Sequence, residues 1–183
     1  MEEARTPGVV TGIHLARAAG EPMVSVQEAH AVAGRGLEGD RYFVGEGTYS
    51  NEEGGGRDVT LIEVEALDRL RHDFDVDLQP SESRRNIATR GIVLDSLIGR
   101  EFRIGEVVLR GVSSCEPCAH LVEMSGKGVL RGLVHRGGLR ADIVTDGVIR
   151  VGDTISITES PQSHASTDGS SQRSRDTAEL SHS

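Results

Sequence analysis

The sequence has no tryptophan, and its aromatic residues are two tyrosines and three phenylalanines. Only 36% of the residues are apolar, and the formal net charge is −9. A nucleic-acid surface needs a basic face, so this balance excludes nucleic acid as the main partner. Lysine is almost missing: Lys127 stands alone, and the other nineteen basic residues are arginine. Such a bias reflects genome composition or salt adaptation as readily as a need for planar guanidinium forks, and only particular positions separate these. Cysteine occurs twice, at Cys115 and Cys118, too few for a disulfide framework. The stretch Met1–Pro7 is charged and lacks an apolar segment, so no signal peptide is expected. No apolar run approaches the roughly 20 residues that cross a bilayer. These absences predict a soluble, cytoplasmic protein with reduced thiols and no membrane partner.

What is present in quantity is glycine, 23 residues of 183. Glycine at that density predicts tight turns between short strands, because it reaches positive φ at no steric cost. A body of about 150 residues buries roughly 68–70% of its unfolded surface, enough for one core. Short apolar runs bounded by glycine read as strands at Val9–Leu15, Met23–Val26, Val59–Ile62 (or a helix entry), Asn86–Ala88, Phe102–Ile104 and Val107–Leu109. Ala141–Val144, Val148–Ile149 and Thr154–Ile157 follow, with Asp146-Gly147 as a hairpin turn. Helical spacing marks Val64, Leu67 and Leu70, and again Val129–His135 with Ser125 as a cap and Gly137-Gly138 as the stop. Gly34–Arg41 and Val44–Arg57 read as loops. With no βαβ rhythm, the expected fold is a mostly-β barrel with two or three short helices. Residues 1–7 are expected to be flexible, 8–158 to form the domain, and 159–183 to be a disordered Ser/Thr-rich tail.

Three motifs carry possible chemistry. In Cys115-Glu116-Pro117-Cys118, followed by His120, four readings stay open. Half a zinc site lacks its second ligand pair, and a redox dithiol wants a βαβ context. The others are two inert buried cysteines, or one reactive thiol at Cys118 held by the preceding proline. In Glu82-Ser83-Arg84-Arg85-Asn86-Ile87, adjacent arginines at a strand start point to opposite faces, so one of them can face a site. That arginine, Arg85 if the strand is regular, and Asn86 make an anion clamp, or else a solvated surface pair. Gly39-Asp40-Arg41 reads by itself as a turn with a local ion pair.

In order, these motifs and Asp58-Val59-Thr60-Leu61-Ile62, Leu97-Ile98-Gly99-Arg100, Phe102-Arg103-Ile104-Gly105 and Val148–Asp153 resemble the MOSC family. That family is named for the C-terminal domain of molybdenum cofactor sulfurases. The resemblance spans Val9 to Ile157 and implies a barrel related to one in pyruvate kinase. In a relative, the mitochondrial amidoxime-reducing component, the second cysteine of a Cys-x-x-Cys ligates molybdenum, and Cys118 matches it. The resemblance also implies that Arg84, Arg85, Asn86 and Arg41 lie near the pterin cofactor. In the sulfurases a pyridoxal-phosphate domain supplies sulfur to this unit, and no such domain is in this sequence. It also lacks the barrel domain that precedes the MOSC unit in the reducing component, so a pocket between domains would need a partner or a dimer.

The implied cofactor is molybdopterin with molybdenum, and two roles for Cys118 follow. As a metal ligand it serves reduction of N-hydroxylated compounds, with an electron-donor protein as partner. As a persulfide it carries sulfur, with a cysteine desulfurase-type partner. A third role is that of a carrier that binds the cofactor without turnover. Either chemical role needs a thiolate, and nearby arginines supply the positive field that favours one. A soft thiolate suits molybdenum.

Overall fold

This computed structural model describes residues 7–47, 55–117, 121, 123 and 127–158, with Lys127, Gly128 and Leu130 described by their backbone alone. The expected tail over 159–183 and the expected cap Ser125 lie outside the described residues. The chain opens with β1 (Gly8–Leu15), β2 (Val24–Val26), β3 (Glu28–Val32) and β4 (Gly36–Leu37). Next come β5 (Val59–Glu63), helix α1 (Val64–Phe74), β6 (Ile87–Arg90), β7 (Glu101–Ile104) and β8 (Val107–Ser114). Helix α2 (Lys127–Leu133) leads to β9 (Leu139–Ile143), β10 (Gly147–Arg150) and β11 (Thr154–Ile157).

Seven strands close a barrel in the order β1-β6-β5-β9-β8-β7-β11, with β11 returning to β1. Since β6 occupies one edge of β1, the other edge is shared: β11 takes Gly8 and Val9, and β2 takes Ile13 to Leu15. Neighbours are antiparallel except β5 and β6, which run parallel with α1 as their crossover. That single βαβ unit corrects the expectation of none. It is the connection a parallel pair requires.

Alternation along each strand makes two cores. Val10, Ile13, Val59, Leu61, Ile87, Phe102, Leu109, Leu139 and Ala141 fill the barrel. On the outer face, Ile62 and Ala88 meet Ala66, Leu67 and Leu70 of α1 and Val129 and Leu133 of α2. Each fully buried valine, leucine or isoleucine among them contributes about 1.5–3 kcal/mol. Helix α1 stops at Asp75, whose left-handed backbone (φ 53) turns its N–H back to Leu70 O. The described part of α2 ends at Leu133, short of the expected His135, because His135 adopts φ 60. Val134, expected in the buried stripe, is 42% exposed as a result.

The reading of Gly34–Arg41 as loop alone is also corrected. β3 and β4 form a small sheet with β10, and Ala29, Ala31, Leu37 and Ile149 from it join the barrel core. Its alternation was hidden because the inward residues of β3 are alanines, weak strand formers. No described helix is long and apolar enough to cross a membrane.

Candidate functional site

The candidate site lies on the outer face of the barrel, beside the patch the helices cover. Ile13, Leu61 and Leu139 point inward, so by the two-residue period their neighbours His14, Thr60 and Arg140 point outward, and Asn86, just before β6, joins them through its hydrogen bonds. Pairing sets these side by side: Ser25 opposite His14, His14 N–H on Asn86 O (2.7 Å), Asn86 N–H on Thr60 O (2.9 Å), and Thr60 opposite Arg140. A polar row thus crosses the sheet from β2 to β9.

Asn86 ties the row together with both ends of its amide. Its Oδ1 accepts from Thr60 N and Thr60 Oγ1, both at 3.1 Å. Its Nδ2 donates to His14 O (3.2 Å) and Asp40 Oδ2 (3.1 Å). Asp40 is buried and also accepts from Ala16 N and Tyr42 N, so the Asp40–Arg41 corner is bolted onto the row. Arg41 is only 7% exposed. Its Nη1 lies 3.6 Å from Asp40 Oδ2, beyond hydrogen-bond reach, and has no hydrogen-bond partner among the described residues. The guanidinium also packs 4.8 Å from the Tyr42 ring centroid.

Arg85 works on the loop that leads to Cys118. Its Nε donates to Gly137 O (2.8 Å), and its Nη2 to Cys115 O and Glu116 O, both at 3.1 Å. Cys115 is buried, and its N–H donates to Gly138 O at 2.7 Å. The Gly137-Gly138 turn can approach only because it lacks side chains: a Cβ on Gly138, at φ +112, would stand 1.9 Å from Leu61 O. Glu116 completes the clamp, accepting from His135 N and Ser114 Oγ, both at 3.0 Å. The His135 amide first, then the Ser114 hydroxyl and the charges of His135 and Arg85, hold the Glu116 carboxyl below its ordinary range. Cys118 and His120 lie outside the described residues. Among the described residues no group of three His, Cys, Asp or Glu side chains is placed to hold a metal ion.

Arg84 takes another direction, donating from Nη1 to Glu21 O. The reason differs from the expected strand parity. The strand begins only at Ile87, and Arg84 sits at φ 63 after a 3-10 turn over Pro80–Ser83. The left-handed residue, not a regular pleat, separates the two arginines. His14, Thr60 and Arg140 are members of the row that sequence reasoning did not single out. The signal existed, as polar positions alternating with apolar ones in Val9–Leu15, Val59–Ile62 and Leu139–Ile143. A polar residue on an outer face is ordinary, so nothing raised these above their neighbours.

The next turn of chain from Arg41 lines a cavity of about 480 Å³ with Tyr42, Phe43, Arg35, Arg57, Asp58 and Asp142 among its walls. Arg35 stacks 4.3 Å from the Phe43 ring centroid. Burial pushes the Asp58 carboxyl above its ordinary 3.8, with the Asp142 charge adding to it and the amides of Ile143 and Gly34 opposing. A carboxyl raised in the folded state gives stability that is present below the unfolded pKa and lost as pH rises through the folded one. Asp58→Asn, whose Oδ1 can still accept from Ile143 N–H, is therefore expected to remove that loss. Thermal melts of both proteins, from below pH 3.8 upward, should converge at the acid end and favour the variant above it. A wild-type advantage that grows with pH would contradict this.

The family model of the MOSC domain matches residues 40–156, more than half of the chain. The chain belongs to the MOSC family. As a MOSC barrel it is similar to the YuaD protein from Bacillus subtilis, with a TM-score of 0.72 at 16% identity over 83% of this chain and 96% of that one. YiiM from Geobacillus stearothermophilus gives a TM-score of 0.65 at 12% identity, covering 84% of this chain and 76% of that one. YiiM from Escherichia coli gives 0.58 at 17% identity, with coverages of 85% and 70%. At these identities the likeness shows the fold alone. No curated protein matches the sequence.

Proposed function

We propose that this MOSC protein binds a molybdenum–pterin cofactor on the outer polar row, with Cys118 as the thiolate ligand of molybdenum. The observation that carries the reading is Arg41. A guanidinium 7% exposed whose Nη1 faces Asp40 at 3.6 Å but makes no hydrogen bond among the described residues is costly to keep unless an acceptor meets it, since a charged donor buried without a hydrogen bond costs more than the 1–3 kcal/mol of a neutral one. The cofactor's phosphate is such an acceptor, and a guanidinium fork is shaped for it. In this arrangement Arg41 holds the phosphate, and Asp40 and Asn86 hold Arg41 in place. Arg85 and Glu116 fix residues 115–117, which precede Cys118 in the sequence. When bound, the cofactor supplies two-electron redox chemistry suited to reducing an N-hydroxylated compound, with electrons from a donor protein.

The test is protein purified from a host that makes the cofactor, assayed for molybdenum and pterin fluorescence. About one molybdenum per chain is expected. Arg41→Met should retain at least tenfold less, about 1.4 kcal/mol of lost binding, measured on folded protein below the melting temperature, which falls as the ion pair with Asp40 is lost. Labile sulfur on Cys118 without molybdenum would overturn the ligand role in favour of a persulfide carrier. Bound cofactor without turnover on any N-hydroxylated compound would leave a carrier module.

A further inference from the structure

The row contains a second buried polar atom with no described partner, Nε2 of His14. His14 is 6% exposed, and burial lowers its pKa, so the imidazole is neutral at neutral pH. Its Nδ1 meets Ser25 Oγ at 3.0 Å across the β1–β2 pair. Room for the ring comes from Gly12. A Cβ there would lie 2.8 Å from Nε2, and the same point is 3.7 Å from the Ala88 Cβ. The ring therefore lies along the outer face over Gly12, where β1 shifts register against β6 between Val10 and Gly12. A bulge and a missing side chain both make space for an imidazole that leaves one nitrogen unused. Bulges of this kind re-aim side chains next to sites.

We propose that His14 contacts the molecule bound on this face, donating Nε2–H to an anionic or carbonyl oxygen, in the tautomer in which the Ser25 hydroxyl donates to Nδ1. The identity of that molecule as the pterin cofactor rests on the proposed function; the role of His14 as a donor does not. A Ser25 hydroxyl that donates to Nδ1 leaves the ring proton on Nε2. An orphaned nitrogen in a merely structural histidine brings only a desolvation penalty, so replacing the ring by an apolar one of similar shape should relieve the free protein. A ligand contact predicts opposite signs for stability and binding.

The experiment compares wild type, His14→Phe and Ser25→Ala. In cofactor-free protein, ring ¹⁵N spectra should show His14 protonated on Nε2, and His14→Phe should melt no lower than wild type. From a cofactor-making host, His14→Phe should retain about tenfold less pterin, the loss expected of a buried hydrogen bond. Ser25→Ala should fall between the two. If wild type holds pterin and His14→Phe holds as much, the His14 inference is overturned and the cofactor reading stands. If wild type holds none, the cofactor reading is overturned, and inorganic phosphate then decides for His14. A shifted Nε2 resonance on adding phosphate supports the donor role, and an unmoved one overturns it. A proton found on Nδ1 overturns it in either case.

Discussion

Cys118→Ser is expected to abolish molybdenum retention, a loss of at least a hundredfold, while Cys115→Ser keeps most of it. A serine alcohol stays protonated at neutral pH and is a hard oxygen ligand, whereas a thiolate is soft and anionic. Cys115 differs in kind. It is buried, and its backbone does the visible work: its N–H binds Gly138 O and its carbonyl receives Arg85. Those contacts survive a serine. The cost is a hydroxyl buried where a thiol was, about 1–3 kcal/mol if it finds no partner. Molybdenum per chain and melting temperature, measured on both variants, separate the two effects. Equal loss of metal from both would instead favour a dithiol pair or a shared metal site. No loss from either would remove the ligand role.

The barrel was legible in the sequence because its strands are short apolar runs and glycine separates them. Val59 and Leu61 face in while Thr60 and Ile62 face out, and glycines at positive φ, Gly99 and Gly105 among them, close the turns. The ordered motifs carried the family, and in their described residues they mark strands and the turns beside them. What the sequence hid was anything that depends on departure from regular structure. Strand parity at Arg84 and Arg85 requires a strand there, and Arg84 is left-handed instead. β3 was hidden behind alanines, and the parallel β5–β6 pair behind a helix only eleven residues long. The polar row is a different case. His14, Asn86, Thr60 and Arg140 come from four separate segments, and only the barrel's register aligns them. Spacing along one chain holds no record of that alignment.

Arg85→Leu is expected to destabilise the protein by about 3 kcal/mol, within the span for a buried charged group whose partners lose their donor. Three carbonyls, of Gly137, Cys115 and Glu116, receive its hydrogen bonds, and a leucine offers none. Gly137 and Gly138 leave no slack for the loop to sink inward and find other donors: a Cβ on Gly137 would stand 2.2 Å from Cys115 O, and one on Gly138 1.9 Å from Leu61 O. At roughly 2–4 °C per kcal/mol for a chain of this size, the melting temperature should fall by about 6–12 °C. Arg85→Lys should recover part of this, since one ammonium can reach one or two of the three oxygens but has no planar fork. The contrast with Arg41 is what makes the measurement decisive. Both arginines are buried, yet Arg85 has its acceptors within the fold and Arg41 has a nitrogen that makes no hydrogen bond among the described residues. Loss of Arg85 should therefore lower stability with or without cofactor, whereas loss of Arg41 should lower cofactor retention by more than the loss of its ion pair with Asp40 explains. If Arg85→Leu melts with wild type, residues 115–117 are held by Glu116 and the Gly138 carbonyl instead, and the clamp assigned to Arg85 is wrong.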